Sequence, residues 1–229
     1  MATGAMAAPL FIAAQNGKTD AVKRLVEAKA TIDCALHNIT TPLMISLTNG
    51  HFGSAHYFID NGASVHGVQP GLPTPLFVAC QVGAVDIIEK LIAKGANPSD
   101  VMHGGACAHL VASAMGNAKV VEILLNGKAD VNHADSLGHT AMFEASARSH
   151  IHVMQLLKSK GASLEVKTSD GHTPLFAAAC YRHVQAVKIL IEMGAEVNVA
   201  DNSGASAIFA SAAAGEENIT DMLLKVISS

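Results

Sequence analysis

The chain contains no tryptophan, and only 4% of its residues are aromatic. Charged residues are scarce as well, at 15%. Yet half of the residues are hydrophobic, so the apolar mass is small and aliphatic: Ala, Leu, Ile and Val. That content excludes a disordered tail. Basic charge is limited too. Fifteen Lys and Arg stand against nineteen Asp and Glu, a net charge of −4, and no block of either sign occurs. The positive field that holds nucleic acid is missing, so no nucleic-acid partner is expected. Cysteine is limited to Cys34, Cys80, Cys107 and Cys180, with no CxxC pair. A chain of 229 residues buries a core without covalent staples. Free thiols in a reducing compartment are expected, and with them an intracellular location, cytoplasmic or nuclear.

Long apolar runs are missing. Residues 34–59 contain no Lys, Arg, Asp or Glu, but Asn, His, Gly and Pro break the stretch repeatedly. No membrane span is expected. The first Lys is Lys18, and Pro9 interrupts the apolar stretch Met6–Ala14, so no secretory signal is expected either. Enzyme signatures are absent: no GxxxxGK[ST] loop, no GxSxG elbow, and no Gly-rich turn after a buried strand. The reading is of a non-enzyme, without catalytic residues, cofactor or metal.

What the chain does have is a period. Thr41-Pro42-Leu43, Thr74-Pro75-Leu76 and Thr173-Pro174-Leu175 lie in one register of 33 residues. Stepping by 33 gives starts at 8, 41, 74, 107, 140, 173 and 206. Nine residues on come Gly17, Gly50, Gly83, Gly116, Ser149, Arg182 and Gly215. Twenty-one residues on come Lys29, Gly62, Gly95, Lys128, Gly161 and Gly194, each followed by Ala. Thr then Pro starts a helix, because the hydroxyl caps free N–H groups and Pro fits the first turn. The first Gly ends that helix in a left-handed conformation. A second helix follows, with apolar residues at helical spacing: Val85, Ile88, Leu91 and Ile92, or Val121, Leu124 and Leu125. About a dozen polar and turn-forming residues then lead to the next start.

These windows resemble ankyrin repeats, whose period and Thr-Pro-Leu start they share. Asp130-Val131-Asn132 and Glu196-Val197-Asn198 match the family's GADVN tail. Asp135 with Gly138, and Asp201 with Gly204, match its hairpin turns. The resemblance covers residues 8–227. It implies an all-α solenoid of seven stacked helix pairs with short β-hairpin-like loops. Residues 1–7 are a lead-in, and 8–229 form a single domain. It also implies a non-catalytic interaction module or adaptor, monomeric, binding a partner protein or peptide on its concave face and hairpin tips. A targeting or regulatory domain of a larger enzyme, channel or effector is the alternative.

The chain departs from the family in places. The family's His, three residues into each window, is replaced by Phe11, Met44, Phe77, Leu110, Phe143, Phe176 and Phe209. That column reads as a packing ladder between repeats, or less favourably as an aromatic groove. Lys29, Lys128, Ser149 and Arg182 stand where Gly is expected. A left-handed non-Gly residue costs roughly 1 kcal/mol, so these joints should be soft, and Gly127 offers to take over the turn at Lys128. The fourth window is the weakest, with Cys107, Ala108 and His109 in place of Thr-Pro-Leu. The first and last windows read as caps with wetted outer faces, which Glu216, Glu217, Thr220 and Asp221 would supply.

The family's contact columns carry over residue by residue. Arg148 and Tyr181 are side chains of hot-spot type in adjacent repeats. With Met115, His139, Asp170 and His172 they make one candidate patch, and Asn49 and Gln81 occupy the same columns in earlier repeats. A second candidate is apolar, at the tips of repeats two to four: Leu36, Ile39, Val68, Leu72, Val101 and Met102, the alternative being that these tips fold back and bury them. Asn132 and Asn198 resemble the site that asparaginyl hydroxylases modify in this family, beside a structural role in the turn. Of the twelve His, five fall in repeat columns: His51, His150 and His183 in one, His139 and His172 in another. Their separation argues against converging metal ligands.

Overall fold

The computed structural model describes residues 7–35 and 39–228. Contacts group the chain into two compact units, Met1–His103 and Gly104–Ser229. The first holds α1 (Ala7–Gln15), α2 (Thr19–Glu27), α3 (Pro42–Thr48), α4 (Phe52–Asp60), α5 (Pro75–Val82) and α6 (Val85–Ala93). The second holds α7 (Ala108–Ala114), α8 (Ala118–Asn126), α9 (Ala141–Ala147), α10 (Ile151–Ser159), α11 (Pro174–Cys180), α12 (Val184–Glu192), α13 (Ala207–Ala213) and α14 (Glu217–Ile227). No strand occurs among the described residues, and an isolated antiparallel bridge joins Ala134 to Thr140. The class is all-α, as the period predicts. No described helix is long and apolar enough to cross a membrane.

Local chemistry starts and stops each pair where the period places it. Thr41, Thr74, Thr140 and Thr173 each accept, through Oγ1, the N–H three residues on, at 3.1–3.2 Å. Pro occupies the first turn of α3, α5 and α11. Gly83 ends α5 at φ 69°, in the left-handed region. Cys107 precedes α7 in the extended conformation but supplies no side-chain cap. Lys29, Lys128, Ser149 and Arg182 all take positive φ, between 58° and 71°. Gly127 does not relieve Lys128, since its own φ is −76°.

Packing follows the same register inside each unit. In the first, α1 lies on α2 and α3, α3 on α4 and α5, and α5 on α6. In the second, α7 lies on α8 and α9, α9 on α10 and α11, α11 on α12 and α13, and α13 on α14. The second helices bury a stripe that differs from the one the spacing predicts, taking in Ile87 and Val120. Ile87, Ile88 and Leu91 are buried in α6, and Val120, Val121 and Leu124 in α8. Val85, Ile92 and Leu125 sit half-buried at its edge.

The Phe column is a packing ladder in six windows. Phe11, Met44, Phe77, Leu110, Phe143 and Phe176 are all buried. Each contributes about 1.5–3 kcal/mol through the area it removes from water. The seventh member differs, because Phe209 is 64% exposed. Leu224, Val226 and Ile227 of α14 are exposed with it. The wetted outer face expected of the last repeat is therefore only partly present.

Candidate functional site: a cleft between two repeats

A cleft of about 530 Å³ opens in the second unit. Its lining comes from two consecutive repeats: His139, Phe143, Glu144, Ala147 and Arg148 from the first, Thr168, Asp170, His172 and Tyr181 from the second. The hairpins before α9 and α11 place the histidines. The helices place the aromatics. Five of the residues singled out by column meet here: His139, Arg148, Asp170, His172 and Tyr181.

Each histidine is held by a stack. The ring of His139 lies on Phe143 at 4.9 Å between centroids, with 4° between planes. The ring of His172 repeats this on Phe176, at 4.2 Å and 5°. The spacing of four brings the hairpin ring over the first turn of the following helix. Carboxylates fix the outer edges. His139 Nδ1 is 3.4 Å from Asp135 Oδ2 and 3.6 Å from Glu144 Oε1, and His172 Nε2 is 3.4 Å from Asp201 Oδ2. The backbone N–H of His172 donates to Thr168 Oγ1 at 3.2 Å.

Glu144 ties the cleft together, since its carboxylate also pairs with the Arg148 guanidinium one turn further on. It is mostly shielded, at 16% side-chain exposure, whereas Arg148 is 49% exposed. The arginine is therefore presented, not buried. Tyr181 stands 61% exposed at the end of α11. The Ser203 hydroxyl is the first cause that holds the Asp201 carboxyl below its ordinary value, with backbone N–H groups and His172 assisting. Column reasoning missed Glu144 and Thr168, and it favoured a packing role for Phe143, which also lines the cleft. Glu144 carried a signal all the same: it is a carboxylate in a column otherwise filled by Ile12, Ile45, Val78, Val111, Ala177 and Ala210.

The remaining candidates lie elsewhere. Met115 belongs to the same unit and is 62% exposed, but it does not line the cleft. Asn49 and Gln81 belong to the other unit; Asn49 Nδ2 donates to Gln15 O at 2.9 Å, and Gln81 is exposed on α5. Four of the apolar tip residues, Val68, Leu72, Val101 and Met102, line another pocket, of about 370 Å³, in the first unit. Ile39 and Val101 are exposed, Val68 and Leu72 are half-buried, and Met102 is buried. Leu36 lies outside the described residues. The N–H of His103 donates to Gly71 O of the preceding loop at 2.7 Å, and that of Leu72 to Gln69 O at 3.2 Å.

Asn132 is exposed, and its carboxamide spans to the next hairpin. Oδ1 accepts the N–H of Ser163 at 2.8 Å, and Nδ2 donates to Gly161 O at 3.4 Å. Asn198 is also exposed. The column of His51, His150 and His183 clips neighbouring repeats. Each Nε2 donates to a carbonyl of the preceding first helix: Gln15, Ala114 and Ala147, at 3.0–3.1 Å. No cluster of three metal-ligating side chains occurs among the described residues.

Cys107 and His109 form a second constellation. Cys107 Sγ is 3.2 Å from His109 Nδ1, and both side chains are buried. His133, whose Nε2 donates to Gly105 O at 2.8 Å, lies edge-on to His109 at 6.1 Å. Burial pushes the Cys107 thiol up to about 11. Burial, assisted by His133, pushes His109 down to about 4. A neutral thiol beside a neutral imidazole is not an activated nucleophile.

The model for the family described as ankyrin repeats (3 copies) matches residues 10–102, 76–168, 108–201 and 153–228. No curated protein matches the chain.

Proposed function

The chain belongs to the ankyrin-repeat family, and from that premise we propose that it is a non-catalytic protein-binding module that seats its partner in the Phe143–Tyr181 cleft. Members of this family are protein–protein interaction modules, and function has to be argued from the site. One observation carries the reading: His139, Arg148, Asp170, His172 and Tyr181, chosen by column, line a single cleft. Arg148 and Tyr181 are anchor types, capable of hydrogen bonding and of burying large area. The two His–Phe stacks and Glu144 hold the rim in place beforehand. A partner therefore loses less freedom on ordering it.

Affinity capture from the source cell, with crosslinks mapped by mass spectrometry, tests this. The expected result is a partner crosslinked within residues 139–181 and lost by an Arg148→Ala, Tyr181→Ala double variant that unfolds at the wild-type temperature. A partner retained by that variant removes the cleft from the proposal.

A further inference from the structure

The cleft carries its charges unequally. Glu144 and Asp170 line it, and Arg148 is the one Lys or Arg in that lining. Asp135 and Asp201 each stand 3.4 Å from a lining histidine. Other cations of this region are engaged elsewhere: Lys167 Nζ donates to Ala200 O at 3.0 Å, and Arg182 pairs with Glu216. Four carboxylates therefore meet one guanidinium, and Glu144 already matches its charge. Arg148 Nη1 donates to both the carboxylate and the backbone O of Glu144. Nε and Nη2 of the same guanidinium suit neutral acceptors, such as the carbonyls of an extended segment.

The fold itself uses three of these carboxylates. Asp135 Oδ1 accepts the N–H groups of Leu137 and His139, each at 2.9 Å. Asp201 Oδ1 accepts those of Ser203 and Ala205, at 2.8 and 2.9 Å. Glu144 holds His139 and Arg148. Asp170 is the exception. It is exposed, and its side chain makes no ion pair or hydrogen bond among the described residues. Only its backbone O is engaged, by the N–H of Asn202 at 3.1 Å. The largely exposed ring of Tyr181 opens onto the same cleft. An unpaired carboxylate and a free ring together recognise a cation, the first by a charge-assisted hydrogen bond and the second by its quadrupole.

Resting on the binding reading above, we propose that the cleft takes a cationic segment of its partner, with a Lys or Arg side chain held against the Asp170 carboxylate and the Tyr181 ring. An acidic segment would meet four carboxylates and a guanidinium that is already matched. Like charges brought together at an interface oppose docking. The net charge of −4 on the whole chain acts in the same sense on approach.

The test is an NMR titration of the intact chain with two probes: a short capped peptide of alternating Gly and Arg, and its Gly-Glu counterpart. The Gly-Arg peptide should shift the amide signals of Asp170, His172 and Tyr181 to saturation, and the Gly-Glu peptide should not. Asp170→Lys should weaken Gly-Arg binding about tenfold. Tyr181→Leu should weaken it about threefold. Both variants should unfold at the wild-type temperature, since neither side chain supports the fold. Gly-Arg binding that Asp170→Lys leaves unchanged overturns the proposal, because it would reflect the charge of the whole chain. Cleft signals that neither peptide shifts overturn it too. So does a preference for Gly-Glu; with a captured partner still crosslinked inside residues 139–181, that result would leave the binding reading standing and remove only its cationic occupant.

Discussion

The thiol of Cys107 and the imidazole of His109 face each other at 3.2 Å in the buried start of the fourth repeat. Both are held neutral, and the histidine carries a consequence for stability. Its folded value is about 4 against an ordinary 6.5, so the unfolded chain takes up a proton that the folded chain refuses. The contribution is complete above pH 6.5 and is lost as pH falls from there to about 4. The loss amounts to about 3 kcal/mol for a shift of this size. His109→Leu restores the apolar residue found in this column in the other windows. Urea midpoints measured across this range should fall less steeply for His109→Leu than for wild type. Parallel profiles would mean that the imidazole is protonated in the folded chain.

Two glycines at nearly the same φ should respond differently to a methyl group. Gly50 and Gly116 take φ of 72° and 74°. A Cβ at Gly50 meets nothing within 4 Å, whereas one at Gly116 would come 2.6 Å from His150 Nδ1. Gly50→Ala should cost about 1 kcal/mol, the left-handed penalty alone. Gly116→Ala must also push the ring off Ala114 O, adding about 1 kcal/mol for the lost hydrogen bond. Equal costs in denaturant unfolding would show that the ring moves aside freely.

The fold was legible because its signals are local. A Thr oxygen three residues from an N–H, or a Gly at a helix end, needs no knowledge of neighbours. The Phe column was legible for the same reason, through Phe11 to Phe176. Phe209 was not, because burial is a relation between repeats and residue type does not report it. The cleft was half legible. Arg148 and Tyr181 stood out by type, but the His–Phe stacks were hidden in the spacing of His139 to Phe143 and His172 to Phe176. Met102 shows the same limit, since its place at a hairpin tip left exposure and burial both open, and it is buried.

The N-caps offer an internal control. Thr140 Oγ1 accepts the N–H of Phe143 at 3.2 Å, while Ser206 makes no side-chain cap at the same place in the last repeat. Thr140→Ala should therefore cost about 1 kcal/mol. Ser206→Ala should stay within about 0.5 kcal/mol. Calorimetric unfolding of the two variants compares them directly, and a costly Ser206→Ala would contradict the cap assignment.

Cys180 provides a chemical handle on the cleft. It is exposed at the end of α11, next to Tyr181, while Cys80 and Cys107 are buried. Cys34 is half-buried, and burial raises its thiol above the ordinary value. Thiolates carry the reaction with maleimide, so access favours Cys180 over the buried Cys80 and Cys107 and over the half-buried Cys34. Brief treatment followed by peptide mapping should find the label first on Cys180, with Cys107 reacting only after unfolding. A bulky polymer maleimide on Cys180 should then abolish capture of the partner, because the adduct overhangs the Tyr181 rim. A Cys180→Ser chain carried through the same treatment should keep its partner. Capture that survives the adduct would place the partner away from this cleft.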